Sequence, residues 1–304
     1  MDRVRTPDDR FESLPGYDFE PRYAEVAGGE GGTLRIHYLD EGPANGEVVL
    51  MLHGEPSWSF LYRKLIPPLV ADGLRCVVPD LVGFGRSDKP AKREDYSFAR
   101  HVEWMRALLF DDLGLSDVTL VGQDWGGLIG LRLVGEHPGR FARLVVANTG
   151  LPTGDAKLSD AFASWQKFSQ EVPELPVGRI VAGGCVSEIG TEVVAAYDAP
   201  FPDESFKEGA RVFPALVPTR PDDPASEANR RAWRVLEEFR RPVLAAFSDS
   251  DPITKGGERA FLEKVPGTRG RSHPKIEGAG HFLQEDKGEE LAGIVGAFVK
   301  ANPL

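Results

Sequence analysis

The chain has 304 residues, of which 41% are hydrophobic and 27% charged, and its formal net charge is −11. This is the composition of an ordinary globular protein, and the length suits one domain with an insertion. The negative charge repels phosphate backbones, so nucleic acid is not expected as a partner.

Short β-branched runs alternate with helical patterns through the first half of the chain. In chain order we predict strands over 33–42, 47–54, 74–80, 118–124 and 142–150, and helices over 60–73, 98–115 and 127–141. Pro67 and Pro68 should kink or shorten the first of these helices. This alternation predicts a mostly parallel sheet with helices on both faces.

The alternation stops after residue 151, where prolines, aromatic residues and short helical stretches follow. It resumes with strands within 241–252 and 273–281 and with helices over 256–265 and 288–301. We therefore predict an α/β core formed by residues 1–151 and 231–304. Residues 152–230 are predicted to be a helical cap inserted into that core.

The cellular setting is indicated by the cysteines and the N-terminus. Cys76 and Cys185 form no redox or metal-binding motif, so we predict free thiols in a reducing compartment. The N-terminal segment MDRVRTPDDRFESLPG is charged and lacks the apolar core of a signal peptide. No run of about 18 apolar residues is present that would suggest a membrane span. We expect a cytoplasmic protein without membrane contact, and a monomer is the simplest expectation.

The segment GQDWG (122–126) has the glycine spacing of the G-x-S-x-G nucleophile elbow, with aspartate in the place of serine. It lies between a predicted strand and a predicted helix, which is the context that the elbow requires. An aspartate at this point could also serve only as a helix N-cap. Together with the motifs below, the segment predicts that Asp124 is a catalytic nucleophile.

Two further segments complete the predicted site. HGEPSWS (53–59) follows an apolar strand, and either it is a plain strand-to-helix loop or its Glu55 amide forms an oxyanion hole with the Trp125 amide. GAGHFLQED (278–286) places His281 in a glycine-rich loop after a later strand, as a general base. The spacing of the histidines indicates no metal site.

The acid that orients His281 is predicted to come from AFSDSDPIT (246–254), which supplies Asp249 and Asp251 just after a strand. We prefer Asp251, because it precedes Pro252 and begins a helical segment from which it can project toward the sheet edge. Asp249 remains the alternative.

The motifs HGEP, GQDWGG, SDSDP and GHFLQE, in this order, resemble those of the haloalkane dehalogenases of the α/β-hydrolase family. The likeness spans about residues 20–300 and includes the cap segment 195–218, which resembles the subgroup that binds halide with two tryptophans. FASWQKF (162–168) places Trp165 at the position of the second tryptophan, and Trp125 would be the first.

The resemblance implies an α/β-hydrolase fold and the hydrolysis of small haloalkanes to alcohol and halide. Asp124 would form an alkyl ester, and water activated by His281 would cleave it. The implied partners are a haloalkane, water and a halide ion, and no cofactor is implied.

Epoxide hydrolases are the alternative, since they share the aspartate elbow, the histidine and the tryptophan after the nucleophile. They usually also use two cap tyrosines, whereas residues 152–230 contain only Tyr197. Fluoroacetate dehalogenases should have arginine where this chain has Trp125. A non-catalytic relative should lack a member of the triad, and none is missing here.

Overall fold

The computed structural model of the chain describes residues 1–29 and 32–304. The strands in these residues are β1 (Arg3–Val4), β2 (Arg22–Gly29), β3 (Gly32–Glu41), β4 (Val48–Leu52), β5 (Arg75–Pro79), β6 (Lys89–Pro90), β7 (Val118–Gln123), β8 (Phe141–Ala147), β9 (Val243–Ala245), β10 (Phe247–Ser248) and β11 (Lys275–Ile276). The α-helices are α1 (Ile66–Ala71), α2 (Phe98–Arg106), α3 (Asp124–Glu136), α4 (Asp160–Glu171), α5 (Val177–Gly183), α6 (Thr191–Asp198), α7 (Glu208–Leu216), α8 (Ser226–Leu236), α9 (Glu258–Lys264) and α10 (Leu283–Lys300).

The main sheet has seven strands in the order β2-β3-β5-β4-β7-β8-β9. Strands β5, β4, β7, β8 and β9 run parallel to one another, whereas β3 is antiparallel both to β5 and to the edge strand β2. Strands β4 and β7 are almost wholly buried, as expected for central strands covered on both faces. The predicted mostly parallel sheet is therefore present. Strand β10, which follows β9 in the chain, pairs in parallel with β11 to form a separate two-stranded sheet.

Several helix boundaries differ from the prediction. The stretch 60–73 divides into a 3₁₀ turn at Ser59–Tyr62 and the short helix α1. Prolines occupy the first turn of α1, where an amide hydrogen has no partner within the helix. The predicted helix over 98–115 is α-helical only to Arg106 and continues as a π-helical turn at Ala107–Asp112.

The C-terminal helix α10 begins at Leu283, five residues earlier than predicted, because its first turn is separated from the rest by non-helical backbone at Lys287. Strand β2 was not predicted at all. Its residues alternate between exposed and buried positions, and it covers only the edge of the sheet beside β3.

The cap helices α4, α5, α6 and α7 lie between β8 and β9 in the chain, within the predicted insertion. Helix α8 packs against α3, which follows the central strand β7. The predicted boundary at residue 230 falls inside α8. The turn after β7 and the loops after β10 and β11 lie at the carboxyl ends of these strands and face the cap across a cavity.

A buried ionic cluster joins the cap to the core. Arg63 forms two hydrogen bonds with the carboxylate of Glu285 in α10, and the Tyr197 hydroxyl of α6 donates to the same carboxylate. All three side chains are buried. Burial opposes the charge of Glu285, but the hydrogen bonds and charge of Arg63 lower the pKa of this carboxyl. The pair is therefore ionised at neutral pH.

Replacing Arg63 by methionine should lower the free energy of unfolding at pH 7 by up to about 3–5 kcal/mol, because it leaves the buried Glu285 carboxylate with a single cationic partner, Lys64 Nζ at 3.2 Å. The loss should shrink in acid, since the pKa of Glu285 is lowered on folding and its contribution disappears as the pH falls through the folded value. Urea unfolding at several pH values measures both effects. Arg106→Met is the control, because its carboxylate partners Glu103 and Asp111 are exposed. Equal small losses for both variants would contradict the prediction.

Candidate active site

Asp124 stands at the turn between β7 and α3, where the sequence predicted a nucleophile elbow. Its φ is +49°, in the left-handed region that residues other than glycine rarely adopt. A Cβ atom at Gly126 would lie 1.9 Å from the carbonyl oxygen of Leu52, and one at Gly122 would lie 2.8 Å from Gly127 Cα. Both glycines are therefore required by the close approach of the strand and the helix.

A backbone donor reaches the Asp124 carboxylate from the loop after β4. The Glu55 amide donates to Asp124 Oδ1 at 2.8 Å. Gly54 permits this approach, because a Cβ there would lie 2.4 Å from Asp124 Cβ. Trp125 follows Asp124 in the first turn of α3, where amides have no acceptor within the helix. This arrangement can stabilise negative charge that develops on an oxygen of the Asp124 carboxyl group.

His281 lies between two carboxylates. Its Nε2 is 3.5 Å from Asp124 Oδ2, and its Nδ1 is 3.0 Å from Asp251 Oδ2. Asp251 is buried and also accepts a hydrogen bond from the Ile253 amide at 2.8 Å and one from the Thr254 hydroxyl. The nucleophile, base and acid that the sequence suggested are thus a connected chain of side chains in space, with His281 between the two carboxylates.

The two carboxylates set the charge of the imidazole. Burial lowers the pKa of His281, but the charge of Asp251 and the hydrogen bonds to Asp124 and Asp251 outweigh it and raise this pKa to about 10. For Asp251, burial raises the pKa, but the charge and the hydrogen bond of His281 outweigh burial. The pKa of Asp251 is therefore lowered. In the resting site His281 is therefore an imidazolium. Esterification would neutralise Asp124 and so lower the pKa of His281. The lower pKa favours the neutral imidazole, which is the form that can act as a base.

The alternative acid, Asp249, occupies a different position. Its exposed carboxylate accepts hydrogen bonds at 3.1 Å from the Gly278 amide and at 2.9 Å from the Ser250 hydroxyl. It thereby fixes the start of the loop that carries His281, and no hydrogen bond joins it to the imidazole within the described part of the chain. The structure brings Asp251, rather than Asp249, to His281.

Asn148, for which the sequence analysis predicted no role, links the nucleophile to the base. Its backbone carbonyl accepts a hydrogen bond from the Asp124 amide at 3.1 Å. Its side-chain amide donates hydrogen bonds to the backbone carbonyls of Gly280 at 2.9 Å and His281 at 3.1 Å. Its φ is +40°. Asparagine directly after an apolar strand was the available signal, since it tolerates this conformation better than most residues.

A cavity of about 920 Å³ opens above this constellation, between the core and the cap. It is lined by Asp124, His281, Trp125 and Trp165, together with apolar side chains of the cap. Trp125 is almost completely buried, and its ring lies 4.5 Å from that of Phe213, centroid to centroid. Trp165 is half-buried on α4. Both tryptophans predicted from the sequence therefore line the same cavity as the nucleophile.

The described residues contain no group of three or more histidine, cysteine, aspartate or glutamate side chains that could hold a metal ion. Over residues 1–29 and 32–304, no helix combines the length and the apolar character needed to cross a membrane.

Known proteins are similar to this chain in both sequence and architecture. A family model described as the alpha/beta hydrolase fold matches residues 47–180. A haloalkane dehalogenase of Psychrobacter cryohalolentis is 56% identical over 303 residues, which cover 100% of both chains. The chain belongs to the haloalkane dehalogenase family. A haloalkane dehalogenase of Mycobacterium marinum is 52% identical, over 96% of this chain and 98% of the relative.

A solved structure, described as the tetrameric structure of a haloalkane dehalogenase from Paraglaciecola agarilytica NO2, matches with a TM-score of 0.89. It is 38% identical and covers 97% of each chain. The predicted haloalkane dehalogenase family and the predicted α/β-hydrolase fold are confirmed.

Proposed function

We propose that the chain hydrolyses small haloalkanes to an alcohol, a halide ion and a proton, with Asp124 as the nucleophile. The observation that carries this proposal is a carboxylate on a left-handed elbow, with an imidazole nitrogen 3.5 Å away. A carboxylate suits displacement at a saturated carbon, because the ester it forms has its carbonyl on the enzyme and can be cleaved there.

In the first step Asp124 attacks the carbon that bears the halogen, and the carbon–halogen bond breaks as the alkyl ester forms. The departing halide needs hydrogen-bond donors, because an anion in an apolar cavity is costly. The indole N–H groups of Trp125 and Trp165 supply them, and an indole has no competing acceptor.

Once the ester has neutralised Asp124, the imidazolium of His281 loses its proton to solvent. In the second step the neutral His281 takes a proton from water, and the hydroxide oxygen attacks the ester carbonyl of Asp124. The amides of Glu55 and Trp125 hold the negative oxygen of the tetrahedral intermediate. Asp251 stabilises the imidazolium that forms. As the intermediate collapses, the imidazolium of His281 gives its proton to the departing alcohol oxygen. The new carboxyl group of Asp124 then passes its proton to His281, which restores the carboxylate and the resting imidazolium. Each step uses only the substrate, water and these residues.

The test of this function is halide release from a panel of chloro- and bromoalkanes, run beside diol release from epoxides. Halide release in step with alcohol formation supports the proposal. Diol formation without halide from any haloalkane would make the chain an epoxide hydrolase instead. The tyrosines on which that alternative depends are not available in the cavity, because Tyr197 is buried and donates its hydroxyl hydrogen to Glu285.

Replacing Trp165 by phenylalanine should weaken halide binding roughly 10- to 100-fold, the equivalent of one hydrogen bond to a charged group at about 1.5–3 kcal/mol. Halide titration followed by tryptophan fluorescence measures the affinity. Trp104→Phe is the control, because Trp104 is a buried side chain that packs against His101 outside the cavity. An unchanged halide affinity in the Trp165 variant would place the second donor elsewhere.

We also propose that the protein acts in the cytoplasm as a monomer. Both cysteines are free thiols, which suits a reducing compartment. The relative from Paraglaciecola agarilytica is described as tetrameric, so sedimentation of the purified chain is the direct test of the monomer.

A further inference from the structure

The side chain of Glu55 has no part in the mechanism above, which uses only its backbone amide. Yet this carboxyl group lines the cavity beside Asp124 and is only 4% exposed. Its Oε1 has no hydrogen-bond partner among the residues that the structure describes. A buried polar atom without a hydrogen-bond partner destabilises the fold. Its presence beside a nucleophile therefore indicates that a ligand supplies the missing partner.

The surroundings of Glu55 favour the neutral acid. Burial raises its pKa well above the ordinary value, and the charge of Asp124 raises it further. The charge of His281 and the nearby Trp165 N–H act in the opposite direction without cancelling this effect. A neutral carboxyl group carries a hydrogen that it can donate, as an ionised one does not.

We propose that Glu55 is a proton donor to the leaving atom, and that it gives this cavity a second activity, the hydrolysis of small terminal epoxides to diols. The inference rests on the proposed nucleophile Asp124. A halide departs as a stable anion and needs no proton, whereas the oxygen of an opened epoxide does. In the proposed mechanism the leaving atom accepts a hydrogen bond from the Trp165 indole, and the Glu55 carboxyl group lies beside that indole. Glu55 is therefore close to the place where the leaving atom departs.

The reaction balances without any other reactant. Asp124 attacks the terminal epoxide carbon, the carbon–oxygen bond breaks, and the oxygen takes the proton of Glu55 to give a hydroxyalkyl ester. Water, activated by His281, cleaves the ester to the diol and leaves the Asp124 carboxyl group protonated. That proton returns to the Glu55 carboxylate, directly or through His281. The sum is one epoxide and one water converted to one diol.

This donor replaces the tyrosine pair that is usual in epoxide hydrolases. Tyr197 does not line the cavity and is held by Glu285. A carboxylic acid with a raised pKa is a competent general acid, because a proton donor works best when its pKa lies near the working pH.

The test compares 1-bromobutane with 1,2-epoxybutane, which carry chains of the same length. The wild-type protein should release bromide from the first and butanediol from the second. Glu55→Gln keeps the shape of the side chain but removes the transferable proton. It should therefore lower kcat for the epoxide relative to kcat for the bromide by about 10²-fold or more, because a general acid contributes about 10²–10⁴-fold. Tyr197→Phe is the matched control and should leave this ratio unchanged.

A second measurement holds even if the Glu55 variant does not fold. In the wild-type protein the ratio of epoxide to bromide turnover should fall as the pH rises and Glu55 loses its proton. Bromide release without diol, an equal loss of both activities in Glu55→Gln, or a ratio that is independent of pH would each overturn the inference. Absence of both products would overturn the proposed function instead.

Discussion

Replacing His281 by phenylalanine should stop the enzyme after a single turnover and leave an alkyl ester on Asp124. The first step needs only the carboxylate and the halide donors, whereas the second needs a base to activate water. Steady-state turnover should fall by about 10²–10⁴-fold, the contribution of a general base. With 1-bromobutane, intact mass spectrometry should show the protein heavier by one butyl group, and peptide mapping should place it on Asp124.

A double variant with Asp124→Asn and His281→Phe is the control for this experiment. Asparagine tolerates the left-handed backbone of residue 124, so the elbow should persist while the nucleophile is lost. The double variant should therefore take up no butyl group. Undiminished turnover in His281→Phe, or an adduct that survives in the double variant, would remove these residues from the roles proposed for them.

Replacing Asp251 by asparagine should lower turnover by about 10⁴-fold, because the imidazole then loses the partner that fixes its tautomer and stabilises its charged form. It should also lower the pKa of His281 below the value of about 10, since the Asp251 charge is the strongest attraction that raises it. The turnover assay gives the first effect, and an NMR titration of the histidine gives the second.

Asp249→Asn is the matched control, because it makes the same chemical change two residues away. Asp249 binds the Gly278 amide rather than the imidazole, so this variant should retain most of its activity and leave the pKa of His281 unchanged. A greater loss of activity in Asp249→Asn than in Asp251→Asn would reverse the assignment of the acid.

These two aspartates show what a sequence can and cannot predict. Both follow the same strand and both precede His281, so their order along the chain does not separate them. The difference arises from the loop at Gly278, whose amide holds one carboxylate at the surface while the other turns inward. The elbow at Asp124 was predictable because its glycines, strand and helix are local in the chain.

Features that depend on distant contacts escaped prediction. Strand β2 has a weak apolar pattern and is defined by its antiparallel pairing with β3. Asn148 gains its role because three loops meet around it. The sequence indicated the backbone amide of Glu55, but the raised pKa of its side chain follows from burial and from the nearby Asp124 charge, which exist only in the folded protein.

The left-handed backbone of Asp124 also limits how stable this protein can become. A residue other than glycine in that region costs roughly 1–2 kcal/mol. Glycine at position 124 would relieve this cost and would remove the charge that faces Glu55. Directed evolution that selects only for heat resistance would therefore favour loss of the nucleophile. A thermostable catalyst derived from this chain must be selected for turnover in every round.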